Sequence, residues 1–139
     1  MHDPIDSTFS VILLSLLIYK FISSKGKKRY EFILRYLILC VVVELLKNMV
    51  GKLRPDKSDF KSFPSGHSAN VWFTAASYNF NVFVTLWAVA VTISRIALKR
   101  HDIFDVSGGA IIGILCAKLN VNKVFDYIQN QNLYKTLDL

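Results

Sequence analysis

Charge is in short supply in this chain. Only 19% of its 139 residues are Asp, Glu, Lys or Arg, whereas a soluble domain of this size carries about a quarter. Cysteine is scarcer still. Cys40 and Cys116 both lie inside apolar runs (LILCVVV and IIGILCAKL) and belong to no metal-ligand or redox spacing, so they read as small buried hydrophobes. No internal repeat, low-complexity tract or sustained strand-like alternation is visible, which argues against solenoid, linker and β architectures. Residues 1–7 contain Asp3 and Asp6 but no Lys or Arg, and no A-x-A site follows the apolar stretch Phe9 to Ile22. A cleaved secretory signal is thereby disfavoured, and a retained membrane helix is the expectation.

What the chain does have is apolar length. Hydrophobic residues make up 53% and the mean hydropathy is +0.36. Five apolar segments stand out: about Asp6 to Ser24, Tyr30 to Leu53, the PSGH stretch to Asn79, Val82 to Leu98, and Asp102 to Leu119. A polar tail, 120–139, follows. A membrane span needs about 20 residues and a tilted bundle accepts about 17, so all but the third, which is short, qualify. The expectation is an all-α, single-domain (1–139) polytopic membrane bundle with about five transmembrane helices and its active site at one membrane face. The net charge of +7 would suit nucleic acid, but the basic residues cluster at the ends of apolar segments. That placement marks loops beside a bilayer and points to no nucleic-acid partner. In the last segment, Gly109 and Gly113 stand four apart after Ser107 and Gly108, a spacing that lets helix backbones approach closely.

Three short stretches carry the chemistry. In KNMVGKLRP, Lys47 and Arg54 stand seven apart, so a helix persisting to Arg54 would set both on one face before Pro55 ends it. Buried cations are costly and need a function; a lysine snorkelling from a helix end is the plain alternative for Lys47. In FPSGH, Ser65, Gly66 and His67 open an apolar helix. Its free N–H groups and positive dipole end suit an oxyanion, and Gly66 leaves room for close approach. A Pro-Gly turn with an incidental histidine is the alternative. In SRIALKRHDIFD, His101 and Asp105 are four apart, so on a helix the carboxylate reaches the imidazole and fixes its tautomer. Arg95, six residues earlier, offers a planar fork for phosphate. An exposed ion pair between His101 and Asp105 is the alternative there.

Taken together, Lys47, Arg54-Pro55, Pro64-Ser65-Gly66-His67, Ser94-Arg95, His101 and Asp105 reproduce, in order and spacing, a motif set: Lys, six residues, Arg-Pro; Pro-Ser-Gly-His; Ser-Arg, five residues, His, three residues, Asp. In this the chain resembles the type 2 phosphatidic acid phosphatase family, which also includes bacterial acid phosphatases and vanadium haloperoxidases. The resemblance directly covers the motif region, 47–105. It implies that His101 attacks phosphorus to form a phosphohistidine, that Asp105 orients it, and that His67 protonates the leaving oxygen and later activates water. Lys47, Arg54, Ser65, Gly66 and Arg95 would bind the phosphoryl oxygens. No metal and no cofactor are implied.

The implied activity is metal-independent hydrolysis of a lipid phosphate or diphosphate monoester. Candidate substrates are phosphatidic acid, phosphatidylglycerol phosphate, undecaprenyl diphosphate and lipid A phosphate, and the bilayer itself is the other partner. Up-and-down threading places the loops Arg54 to Phe63 and Lys99 to His101 on one side. The SKGKKR turn and the Asn79-Phe80-Asn81 turn then share the other. The positive-inside rule sets SKGKKR in the cytoplasm, so the expected protein is integral to the plasma (inner) membrane with its site outside. Membrane members of the family usually have six spans against the five counted here, and the first is the one without a counterpart. A soluble-type acid phosphatase of the same superfamily and a non-catalytic membrane scaffold are the competing readings.

Overall fold

A computed structural model describes residues 4–123 and 126–127, with side chains from residue 8 onward. Five helices follow one another: α1 (Pro4–Ser23), α2 (Lys27–Val50), α3 (Gly66–Ser77), α4 (Val82–Ala97) and α5 (Ile103–Lys118). No strand occurs among the described residues. The all-α expectation and, among the described residues, the count of five are met.

The helix ends have local causes. Gly51 adopts the left-handed conformation (φ 56°, ψ 35°) and its N–H returns to the Lys47 carbonyl, which stops α2. Ser65 caps α3 by accepting from the Ser68 amide, and Asn81 caps α4 by accepting from that of Phe83. Asp102 caps α5 in a reciprocal capping box with Asp105. These caps correct two expectations. α2 ends at Val50, so Arg54 stands in a loop and shares no helix face with Lys47. His101 precedes the α5 cap, so it and Asp105 are not successive turns of one helix.

α3 is the central helix. Ala69, Phe73 and Ala76 face a core shared with Leu39 and Val43 of α2 and Cys116 and Ala117 of α5. Val71 and Ala75, on its other side, pack with Phe9 of α1 and Val84, Ala88 and Val91 of α4. Gly109 and Gly113 let α5 lie directly on the α3 backbone. A Cβ at Gly109 would overlap the Ser65 carbonyl, and one at Gly113 would overlap that of Ala69 and come within 2.9 Å of the Phe73 amide nitrogen. The expectation of close helix approach at this spacing is met.

Outward, the bundle is apolar. Val11 and Leu14 of α1, Val41 and Leu45 of α2, Phe83 and Leu86 of α4, and Ile111 and Leu115 of α5 are all more than half exposed. Yet among the described residues no helix is long and apolar enough to cross a membrane. α4 and α5 have 16 residues each, about 24 Å at 1.5 Å per residue against a hydrocarbon core of about 30 Å. α2 has the length, with 24 residues, but carries Lys27, Lys28, Arg29, Glu31, Arg35, Glu44 and Lys47. The expected count of helices is therefore met and their expected span is not.

Candidate active site

The C-terminal ends of α2 and α4 and the N-terminal ends of α3 and α5 meet at one end of the bundle. Two backbone links tie them. The Ser65 amide donates to the Asp105 carbonyl (3.0 Å), joining the start of α3 to the first turn of α5. The amides of Arg100 and His101 both donate to the Arg95 carbonyl (3.1 and 3.2 Å), folding the chain after α4 back over its last turn.

On this frame, Lys47 leans from the last turn of α2 toward α3. Its Nζ donates to the Lys61 carbonyl (3.3 Å) and lies 3.8 Å from where a Gly66 Cβ would stand. Glu44, a possible partner by sequence, is engaged by Lys61 at 2.9 Å instead. Lys47 is thus turned into the site and is not a bare snorkelling cation. Gly66 has ordinary van der Waals room on this side, so no neighbouring group demands its missing side chain. The space it leaves lies beside the Lys47 ammonium.

Arg54 projects from the loop after α2. Its Nε is 2.8 Å from Asp59 Oδ1, and its amide donates to the Asp59 carbonyl. Its charge acts on both Lys47 and His101, which places three of the expected residues in one electrostatic neighbourhood. Ser65 and Arg95 are buried. His67 follows Gly66 in the first turn of α3, and its ring packs against Phe9 of α1 with centroids 4.4 Å apart.

His101 is 3% exposed. Burial pushes its imidazole down to about 4, and the charges of Arg54 and Lys47 push the same way against Asp105 and the Ser62 carbonyl. The ring is therefore neutral at ordinary pH, with a lone pair available for attack. Its Nδ1 lies 3.7 Å from Asp105 Oδ2, near enough for charge to be felt but beyond hydrogen-bond length.

The Asp105 carboxylate, fully buried, is committed elsewhere. Oδ2 accepts from the Ser62 hydroxyl and from the Asp102 amide (3.1 Å), and Oδ1 accepts from Lys52 Nζ (2.8 Å). Lys52 also bridges to Asp102. Burial would lower the Lys52 ammonium, but its two carboxylate partners outweigh this and hold it up; Asp102 is held below the usual carboxylate range, where burial opposes and Lys52 prevails. Sequence reasoning missed Lys52, Ser62, Phe9 and Asp102. Only Asp102 left a signal, the Asp-x-x-Asp spacing of a capping box.

Two cations, Lys47 and Arg54, acting on a neutral imidazole beside the start of α3 form a setting that suits a tetrahedral oxyanion with an electrophilic centre. No cluster of three or more His, Cys, Asp or Glu side chains suited to a metal ion occurs among the described residues.

Residues 9–129 match the family model described as the PAP2 superfamily. Among curated proteins, the chain is similar to "Lipid A 1-phosphatase" of Porphyromonas gingivalis, 31% identical over 112 residues, covering 69% of this chain and 24% of that protein. It is also similar to "Probable lipid phosphate phosphatase beta" of Arabidopsis thaliana, 29% identical over 127 residues, covering 60% of each. The chain thus spans about a quarter of the first and three fifths of the second. A crystal structure of LpxE from Aquifex aeolicus superposes with a TM-score of 0.66 at 28% identity, covering 84% of this chain and 85% of that one. A family match running through all three motif stretches, and the geometry that gathers them, lead to one statement: this chain belongs to the PAP2 superfamily.

Proposed function

We propose that this protein hydrolyses a phosphate or diphosphate monoester on a membrane lipid through a phosphohistidine, without a metal ion. The observation that carries this reading is the buried, neutral His101 among the charges of Lys47 and Arg54. In the first step a ring nitrogen of His101 bonds to the terminal phosphorus as its P–O bond to the lipid oxygen, or to the bridging oxygen of a diphosphate, breaks, and His67 gives its proton to the departing oxygen. In the second, His67 takes a proton from water, which attacks phosphorus and breaks the P–N bond. Nδ1 faces Asp105, so Nε2 is the attacking atom. Lys47, Arg54 and Arg95, with Ser65 and the Gly66 amide, take the nonbridging oxygens and supply the charge that a metal supplies elsewhere.

The lipid part of the reading rests on the exposed large apolar side chains that α1, α2, α4 and α5 carry outward, a feature of surfaces that meet a bilayer or a partner. An apolar groove between α1 and α4, lined by Phe9, Ile12, Trp87, Val91 and Ser94, begins beside the Phe9–His67 contact and suits an acyl chain. The names of the relatives point the same way: one acts on lipid A, the other on lipid phosphates. The SKGKKR turn lies at the bundle end opposite the site. By the positive-inside rule the protein sits in the plasma membrane with the site on the extracytoplasmic face.

The deciding experiment measures phosphate release by the purified chain from phosphatidic acid, phosphatidylglycerol phosphate, undecaprenyl diphosphate and a lipid A phosphate. Release from at least one, unaffected by chelator and abolished in His101→Ala, is expected. Release from none of them sinks the reading. Carbonate extraction should leave the protein in the membrane pellet; a soluble-type enzyme would be released.

A further inference from the structure

At the end of the bundle away from His101, the last turns of α1, α3 and α5 and the first turns of α2 enclose a second cavity of about 370 Å³. Lys20, Lys28, Arg35 and Lys118 line it together with a single carboxylate, Glu31. Arg35 already pairs with Glu31 (3.3 Å) and donates to the Leu119 carbonyl (2.8 Å). Lys20 and Lys118 lie over the rings of Tyr78 and Phe80, at 5.0 and 5.6 Å. Among the described residues, the ammonium groups of Lys20, Lys28 and Lys118 have no carboxylate partner.

The plain account of such lysines is compensation for the negative ends of three helices. Against it, among the described residues none of the three ammonium groups donates to a helix-end carbonyl. Carbonyls at these ends are instead engaged by backbone amides (Ser24 to Lys20, Asn79 to Ala76, Leu119 to Cys116), and Arg35 takes that of Leu119. Two of the ammonium groups rest over aromatic rings, and all three side chains line a polar cavity large enough for a phosphate and its substituents.

We infer that this cavity binds a phosphate-bearing anion, the headgroup of an anionic phospholipid in the leaflet opposite the catalytic site. Only the naming of a leaflet rests on the membrane reading above; the cavity and its charge do not. Three lysines around one phosphodiester, with the lipid tails against the outward apolar faces, give a charge-selective clamp of the kind basic pockets between membrane helices form.

The test uses the full chain in detergent, with dihexanoyl phosphatidylglycerol, dihexanoyl phosphatidylcholine and inorganic phosphate as ligands, followed by native mass spectrometry and thermal shift. Phosphatidylglycerol is a phosphodiester, so its binding does not depend on turnover, and a chain inactive on every lipid phosphate still answers the question. Wild type should bind phosphatidylglycerol at least about tenfold more tightly than phosphatidylcholine, and Lys20→Gln/Lys28→Gln/Lys118→Gln should lose that preference while any phosphatase activity stays at the wild-type level. Phosphate bound by wild type and lost in the triple variant, with no gain from the lipid, supports the anion site with free phosphate as occupant. Equal binding of every ligand by both proteins overturns the inference. Should the triple variant misfold, Lys28→Gln alone, at an exposed position, should lower phosphatidylglycerol affinity about threefold; no change there overturns it as well.

Discussion

The Ser62 hydroxyl donates to Asp105 Oδ2, and this bond, with those from Lys52 and the Asp102 amide, holds the carboxylate 3.7 Å short of the His101 ring. Asp105 therefore acts on His101 through its charge more than through a hydrogen bond in this structure. In the proposed mechanism it would be a positioning and electrostatic group, and its own partners come from a loop and a helix cap.

Substitution should separate charge from packing. Asp105→Asn removes the charge that raises the His101 pKa, so the acid limb of kcat/KM should move to lower pH. Arg54→Gln removes a charge that lowers it, so its limb should move up from about pH 4 toward the unperturbed value near 6.5. Both should lose roughly 10²-fold or more in kcat/KM. Limbs that move together, or not at all, would remove His101 from the acid limb.

Gly66→Ala should leave the fold intact, since the added methyl meets Lys47 only at ordinary contact distance. If that space belongs to the phosphoryl group, kcat/KM should fall by about tenfold to a hundredfold with an unchanged melting temperature. A fully active Gly66→Ala would assign the glycine to nothing more than the turn.

Gly113→Ala should do the opposite, because its Cβ overlaps the Ala69 carbonyl and the helices must separate. A stability loss of about 1–3 kcal/mol is expected from overpacking of this kind, read as a lower melting temperature in detergent. An unshifted melting curve would mean that α3 and α5 are not in contact there.

The two histidines should part company on an activated substrate. With p-nitrophenyl phosphate, whose leaving group needs no proton, His67→Ala should show a burst of nitrophenolate and accumulate phosphoenzyme, whereas His101→Ala should show neither. Vanadate should inhibit the wild type competitively. Steady release from His67→Ala without a burst would place water activation on another group.

Much of the fold was legible because apolar runs and caps coincide. The expected segment Val82 to Leu98 becomes Val82–Ala97, and Asp102 to Leu119 becomes Ile103–Lys118. α2 departs most. Its basic first turn is helical from Lys27, although charge suggested a turn, and Gly51 ends it before Arg54. The fixed motif residues stood out by an order and spacing that carry the family resemblance. Lys52 and Ser62 were not, because what brings them to Asp105 is a loop closure, the Ser62 amide donating to the Lys52 carbonyl (2.9 Å), that no periodicity encodes. Phe9 was equally silent: a phenylalanine in an apolar run carries no mark of the histidine it will meet.

The glycine seam between α3 and α5 has a consequence for how such a chain can change over time. Where two backbones touch without intervening side chains, the distance between the starts of the two helices is set by the main chain itself. Outward residues such as Leu86 or Leu115 can be exchanged for any apolar side chain without moving Ser65 relative to Asp105. The chemistry is insulated from drift of the surface, and that freedom ends at Gly109 and Gly113.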